Sequence, residues 1–221
     1  MRLVLIALTA AALAAPTNAW AAPDLSVDVE RQAVRYGGAH KVTGTLVDGA
    51  TPLAGQEVIL EGRRYPYEGS YRVIEHTKTN AEGEFRFDTK LDRNHRLRVF
   101  APAQKLRSER LQSYTLPGFQ LSFRAISPGV VRLYQRYTVP KRVRLSAPTL
   151  FFLGRRGAAR ASIRRTGNLK RVRAGRYTSQ VTVTLPSSWN GAFRYASCFR
   201  ASVGSGMGDP DQSCPKLALR F

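Results

Sequence analysis

From about residue 24 onward, apolar and polar residues alternate with a period of two, and that rhythm limits what this chain can fold into. Leu25, Val27 and Val29 alternate with Ser26, Asp28 and Glu30. Phe119, Leu121 and Phe123 alternate with Gln120, Ser122 and Arg124; Val181, Val183 and Leu185 with Thr182 and Thr184; Leu217, Leu219 and Phe221 with Lys216, Ala218 and Arg220. Successive side chains of a strand point to opposite faces, so each run offers one face to a core and the other to water. Turn residues cut the runs at short intervals: Gly37-Gly38, Asp48-Gly49, Glu82-Gly83, Pro128-Gly129, Thr166-Gly167-Asn168 and Asn190-Gly191. No stretch beyond residue 21 shows a helical period. The chain is expected to be all-β, built from sandwiches of short strands.

The first 21 residues read differently. Arg2 precedes an apolar run from Leu3 to Ala15 whose only polar member is Thr9; Pro16 and Asn18 end it, and Ala19-Trp20-Ala21 fits the small-x-small cleavage pattern. This is the pattern of a secretory signal peptide over 1–21, with cleavage expected after Ala21. The run is shorter than the about 20 residues needed to span a bilayer, so no transmembrane anchor is expected. No Cys near the leader offers a site for acylation. The implied location is secreted or cell-envelope, either periplasmic or at the cell surface. About 200 residues then remain, enough for one large or two small domains.

Strands are expected near 24–30, 40–47, 56–62, 70–78, 84–89 and 95–100 in a first domain, 24–102. A second, 103–221, is expected to carry strands near 119–125, 130–137, 142–147, 149–153, 159–165, 169–173, 177–185, 192–200 and 215–221. Pro102-Ala103 marks the expected join, and the polar stretch 103–116 reads as linker or first strand.

Residues 42–88 contain Gly44-Thr45-Leu46, then Pro52-Leu53-Ala54-Gly55-Gln56 leading to Val58 and Leu60, then Thr79-Asn80-Ala81-Glu82-Gly83-Glu84-Phe85-Arg86-Phe87. Pro52 and Gly55 read as a turn feeding Val58 and Leu60 inward. Asn80 to Gly83 reads as a tight hairpin turn that aims Phe85 and Phe87 at a core. The arrangement resembles the carboxypeptidase regulatory-like and bacterial Ig-like domains, which share a transthyretin-type sandwich. The resemblance implies a fold, and a non-catalytic accessory role of the kind such domains play beside enzymes, adhesins and surface proteins. The second half resembles no named family. The expected architecture is two tandem Ig-like/transthyretin-like β-sandwich domains after a signal peptide.

Charge divides the chain. Residues 22–102 hold twelve acids and twelve Lys or Arg; residues 103–221 hold Glu109, Asp209 and Asp211 against twenty-two Lys or Arg. A field that lopsided points to an anionic partner for the second half. Arg142 and Arg144 share a strand face opposite Val143 and Leu145, Arg160 and Arg164 oppose Ala161 and Ile163, and Arg171 and Arg173 flank Val172. Arg155, Arg156, Arg165, Lys170 and Arg176 fill neighbouring turns and ends. If 142–147, 159–165 and 169–173 form one sheet, its solvent face is an Arg field. Guanidinium forks hold phosphate and carboxylate groups in bidentate fashion. The competing explanation is compositional: a GC-rich genome favours Arg over Lys, but it does not leave one half neutral and the other unbalanced. The expected anion-binding residues are Arg142, Arg144, Arg160, Arg164, Arg171 and Arg173. Their expected partner is an anionic surface polymer, such as a wall glycopolymer, or acidic lipid head groups. Extracellular nucleic acid is the alternative, with Tyr134, Tyr137 and Tyr177 as candidate stacking partners.

Signals for catalysis are sparse. His40, His76 and His95 all lie in the neutral half, and no nucleophile elbow, zincin helix or Walker loop is present. No catalytic residue, metal site or cofactor is assigned, and the chain is expected not to be an enzyme. A hydrolase with a site between the domains is the remaining alternative; it requires a His beside a Ser or carboxylate in a pocket. Glu57, Glu61, Glu68, Glu75, Glu82 and Glu84 interleave with Arg63, Arg64, Arg72, Lys78 and Arg86, which reads as mixed surface charge rather than a glycosidase pair. Asp209-Pro210-Asp211 matches no EF-hand spacing and reads as a turn with local ion pairs.

Cys198 and Cys214 are an even pair in an exported chain and are expected to form a disulfide, the alternative being two free thiols. A bridge closing about 15 residues contributes roughly 3 kcal/mol in the chain-entropy model. Alkylation of the denatured, unreduced protein should leave its mass unchanged, and prior reduction should add an alkyl group at each Cys. Alkylation without reduction would establish free thiols instead.

Overall fold

The computed structural model describes residues 22–146, 148–158, 160–199 and 205–208. The strands of the first half are β1 (Pro23–Val29), β2 (Ala33–Arg35), β3 (His40–Asp48), β4 (Thr51–Pro52), β5 (Glu57–Arg64), β6 (Arg72–Lys78), β7 (Glu84–Thr89), β8 (His95–Ala101), β9 (Leu106–Arg107) and β10 (Leu111–Leu116). Those of the second half are β11 (Gly118–Ser127), β12 (Val130–Thr138), β13 (Thr149–Arg155), β14 (Ile163–Gly167), β15 (Leu169–Arg173), β16 (Arg176–Thr184) and β17 (Phe193–Phe199). Among the described residues a single 3₁₀ turn, Ser187–Trp189, interrupts them. The protein is an all-β sandwich fold, as the alternation requires.

Four sheets make two sandwiches. In the first, β1, β3 and β4 with β7 face β2-β10-β8-β5-β6, to which β9 adds at β8. In the second, β11-β12-β16-β15 faces β14-β13-β17. Among the described residues pairing is antiparallel except between β10 and β2. The alternation is literal in β7, where Phe85 and Phe87 are buried between exposed Glu84, Arg86 and Asp88. Val42, Leu46, Val58, Leu60, Phe87, Leu97 and Val99, all fully buried, fill the first sandwich. Val131, Leu133, Phe151, Leu153, Val183 and Trp189 fill the second. Each such side chain contributes about 1.5–3 kcal/mol through removal from water. Gly44 on β3 has no room for a Cβ, because the Ser26 carbonyl of β1 and the ring of Phe85 lie against it.

Several expectations need correction. Asn80 to Gly83 does not close a hairpin: β6 belongs to the sheet of β5, and β7 pairs with β3, so this turn carries the chain from one sheet to the other. The Asn80 side chain holds it, accepting from the N–H groups of Glu82 and Glu84 at 3.1 and 2.7 Å. The stretch 103–116, expected as linker or first strand of the second half, holds β9 and β10, which pair with the first half's strands. The inward positions of β10 are Ser113 and Thr115, polar yet fully buried, so the apolar rhythm is missing. Pro102 and Ala103 sit in the turn between β8 and β9, and hydrogen bonding carries the first half's sheet on to Leu116. Cys198 is buried on β17. Cys214, Asp209, Asp211 and the strand expected over 215–221 lie outside the described residues.

The segment Ser205–Gly208 lies at the waist. Asn94 donates through its N–H to the Gly206 carbonyl and through its side-chain amide to the Gly208 carbonyl, both at 2.8 Å. Its amide oxygen accepts from the Thr115 N–H at 2.8 Å, and the Gly208 N–H donates to the Thr115 carbonyl at 2.9 Å. Met207 is buried among Tyr137, Val139, Val143, Leu145 and Tyr177 of the second half, with Tyr36 of the first packed alongside. Gly206 takes a positive φ against the ring of Tyr65, where a Cβ would be both strained and crowded.

Beside this waist, His40 is fully buried, its Nδ1 2.6 Å from the Ser113 hydroxyl. Burial first, and the nearby His95 second, hold its pKa down at about 4 against the ordinary 6.5. The unfolded chain therefore binds a proton that the folded chain refuses between those values. Stability from this group is complete above pH 6.5 and declines as pH falls toward 4, by on the order of 3 kcal/mol in all. Urea unfolding between pH 7 and pH 4.5 should show that decline, and substitution of His40 should lessen it, the remainder coming in part from buried His95, whose pKa burial also lowers. An unfolding free energy that stays level across the window rejects the assignment.

Candidate anion-binding face

The structure places the expected arginines apart. Arg142 and Arg144 are exposed and alternate with buried Val143 and Leu145, but the segment 142–146 is no strand. Its backbone is satisfied by a side chain: the Tyr177 hydroxyl donates to the Val143 carbonyl at 3.1 Å and accepts from the Leu145 N–H at 3.3 Å. Arg160 lies in a bend ahead of β14, which starts only at Ile163, so Arg160 and Arg164 share no strand face. Arg164 stands across from Phe152 on β13. β14 and β15 belong to opposite sheets of the sandwich, so the single sheet expected for these arginines does not exist.

A bulge separates the last two. The register between β15 and β16 shifts between Arg171 and Arg173, leaving Val172 unpaired and 66% exposed. Arg171 consequently lies opposite Tyr177, whose ring is buried, whereas Arg173 lies opposite exposed Arg176. Of the six, only Arg173 sits on the outer face of β11-β12-β16-β15.

That outer face gathers other cations. Arg124 on β11 is directly across from Arg132 on β12, which is across from Thr182 on β16. Arg136 is across from Gln120 and Thr178, and Thr178 from Lys170. Thr138, Arg176 and Arg173 form the next row. Between the Arg132 and Arg136 rows, about 14 Å apart along the strand, lie Ser122, Tyr134 and Gln180. No Asp or Glu occurs between residues 110 and 208, so this face carries Arg124, Arg132, Arg136, Lys170, Arg173 and Arg176 with no acid. Arg132 donates to the Thr182 hydroxyl at 3.2 Å and Arg176 to that of Thr138 at 2.7 Å, which fixes two guanidinium groups on the sheet. Guanidinium groups on neighbouring strands of one rigid sheet suit a ligand with repeated phosphate or carboxylate groups.

Other candidates separate clearly. Tyr134 is half-exposed on this face, whereas Tyr137 and Tyr177 point inward and are buried. His40 meets a Ser, but both side chains are fully buried. His95 is buried against the Arg93 carbonyl, and His76 pairs with Glu57 at 2.9 Å on the surface. Among the described residues no helix is long and apolar enough to cross a membrane.

No family model and no curated protein matches the chain. Among solved structures, a mutant of Salmonella alpha-2-macroglobulin is similar at 18% identity and a TM-score of 0.33, over 80% of this chain and 12% of that one. Invasin, a bacterial integrin-binding protein, is similar at 16% identity and a TM-score of 0.36, over 80% of this chain and 36% of its own. A DUF4785 family protein from Legionella pneumophila is similar at 16% identity and a TM-score of 0.38, over 84% of this chain and 49% of its own. This chain thus spans less than half the length of each, and no ligand or residue role is carried over from them.

Like charges directly opposite one another destabilise a sheet by about 0.2–1 kcal/mol. Replacing Arg124 or Arg173 by Thr should therefore raise the urea midpoint in low salt, with the gain shrinking in high salt. A lowered midpoint in low salt would show that these cations are not in mutual repulsion.

Proposed function

We propose that this chain is an exported, non-catalytic binding protein that holds an anionic polymer of the cell envelope on the outer face of β11-β12-β16-β15. One observation carries the reading: Arg124 faces Arg132 and Arg173 faces Arg176 across adjacent strands, on a sheet with no acid to balance them. Bound anionic groups would remove that repulsion. The leader-like first 21 residues support export. The resemblance of 42–88 to carboxypeptidase regulatory-like domains supports an accessory role for the first half. Arg142 and Arg144, exposed beyond the end of the same sandwich, would extend the cationic surface rather than form its centre.

Nucleic acid is the second reading, favoured by Tyr134, whose ring stands on the cationic face between Arg132 and Arg136. Base–aromatic stacking is worth about 1–3 kcal/mol per base. The hydrolase reading gains nothing from the His40–Ser113 contact, which is sealed from solvent.

Titration of the protein with isolated wall glycopolymer at low salt, followed by light scattering or anisotropy, should show binding that weakens steadily as salt rises. Changing Arg124, Arg132 and Arg136 together to Ser should abolish it. Binding unaffected by those changes, or absent at low salt for every polyanion tried, removes the proposal. Tighter binding of single-stranded DNA, lost on Tyr134→Ala, would move the assignment to the second reading.

A further inference from the structure

The polyanion reading leaves the edges at β1 and β11 unexplained. Among the described residues, β1 pairs only with β3, and β11 pairs only with β12. An edge strand presents unpaired N–H and C=O groups, which proteins normally protect with charge, Pro, bulges or short length. β11 has little such protection. It runs for ten residues, carries Arg124 as its one charge, and bulges only near its far end, between Ala125 and Ser127. Phe119, Phe123 and Ile126 along it are 37%, 55% and 45% exposed.

β1 matches it in pattern and opposes it in charge. Leu25, Val27 and Val29 face the first core, and Asp24, Ser26 and Asp28 face outward, followed by Glu30. On the outer face of that sheet the acids are Asp24, Asp28, Glu30, Glu84 and Asp88, against Lys41 and Arg86. Both cations are already engaged, Lys41 with Glu30 at 3.2 Å and Arg86 with Asp88 at 2.8 Å. Asp24 and Asp28 therefore stand on a net acidic face, at an edge.

We propose that copies of this chain associate head to tail, with β1 of one copy pairing along β11 of the next. Both strands keep apolar residues on the core side and polar residues outside. Any register that continues the two cores therefore sets Asp24 and Asp28 on the same face as Arg124 and its neighbour Arg132. The direction of pairing does not alter that outcome, because side chains alternate with period two in either direction. The union would cover part of Phe119 and Phe123, complete the backbone hydrogen bonding of both edges, and join an acidic face to a cationic one. The contact uses different surfaces on the two copies, so it is heterologous and leaves a β1 and a β11 open at the ends for further addition.

Sedimentation velocity over a concentration series at about 0.1 M salt, where charges interact over about 10 Å, should show a mass that grows beyond one chain. Asp24→Lys with Asp28→Lys should weaken this association by about tenfold or more, as should Arg124→Glu alone, the scale expected when like charges face one another. A mixture of the two variants should associate again, because each supplies the charge that the other lacks. Both changes fall at exposed positions, and unfolding midpoints no lower than the parent's confirm the fold. A parent protein that sediments as one chain at every concentration overturns the proposal, as does a mixture that stays monomeric. Polyanion binding is scored separately on the parent protein, so loss of one reading leaves the other standing.

Discussion

The side chain of Asn94 is the connection on which the arrangement of the two sandwiches depends. Its amide and backbone N–H together hold Gly206 and Gly208, while its amide oxygen holds the Thr115 N–H on β10. Asn94 is buried, so these bonds form away from competing water, and leaving any of these groups unpaired would cost about 1–3 kcal/mol. The same bonds place Met207 in the core of the second half. Arg35 of the first half lies over the ring of Phe119 at 4.0 Å, adding a contact where β11 begins. A chain with only one residue between β10 and β11 has little freedom at that joint, and the clasp removes much of what remains.

Polar burial also explains where the sequence was hard to read. β3, β5, β7 and β8 were legible because most of their inward residues, such as Val42, Val58, Phe85 and Leu97, are apolar and recur at every second position. β10 places Ser113 and Thr115 inward instead, where they meet His40. Gln135 on β12 and Ser179 on β16 are likewise buried opposite one another, but apolar neighbours kept the rhythm of those strands visible. The turn at Asn80 was legible as a turn. Its destination was not, because crossing between sheets and closing a hairpin use the same Asx and Gly chemistry.

The cationic face was legible in amount but not in place. Counting charges localised the imbalance to the second half. Assigning arginines to one face requires knowing which strands are neighbours and where register slips, and neither is written in the local pattern. The bulge at Val172 is the clearest instance: two residues apart on a regular strand, Arg171 and Arg173 would share a face, and one extra residue sends them to different sides. Arg132 and Arg136 carried a usable signal. They sit on the polar side of the run from Val130 to Tyr137, four residues apart, and two equivalent positions on any strand share a face.

The cations on the outer face and the open edge of β11 act on each other. An unprotected edge normally invites pairing with its own copy, since identical strands match in length and pattern. Here that pairing is opposed, because two β11 edges would bring Arg124 and the Arg132 behind it onto one face with the same residues of a second copy. Like charges opposed across strands work against such a union, and nothing acidic on either sheet relieves them. An acidic edge meets no such barrier. The charge imbalance therefore functions as a filter as well as an attraction: it leaves the hydrogen-bonding edge available while rejecting the partner that a neutral edge would find first. A polyanion on the face would neutralise the same arginines and weaken that filter, so the occupancy of the face and the selectivity of the edge are set by one group of side chains.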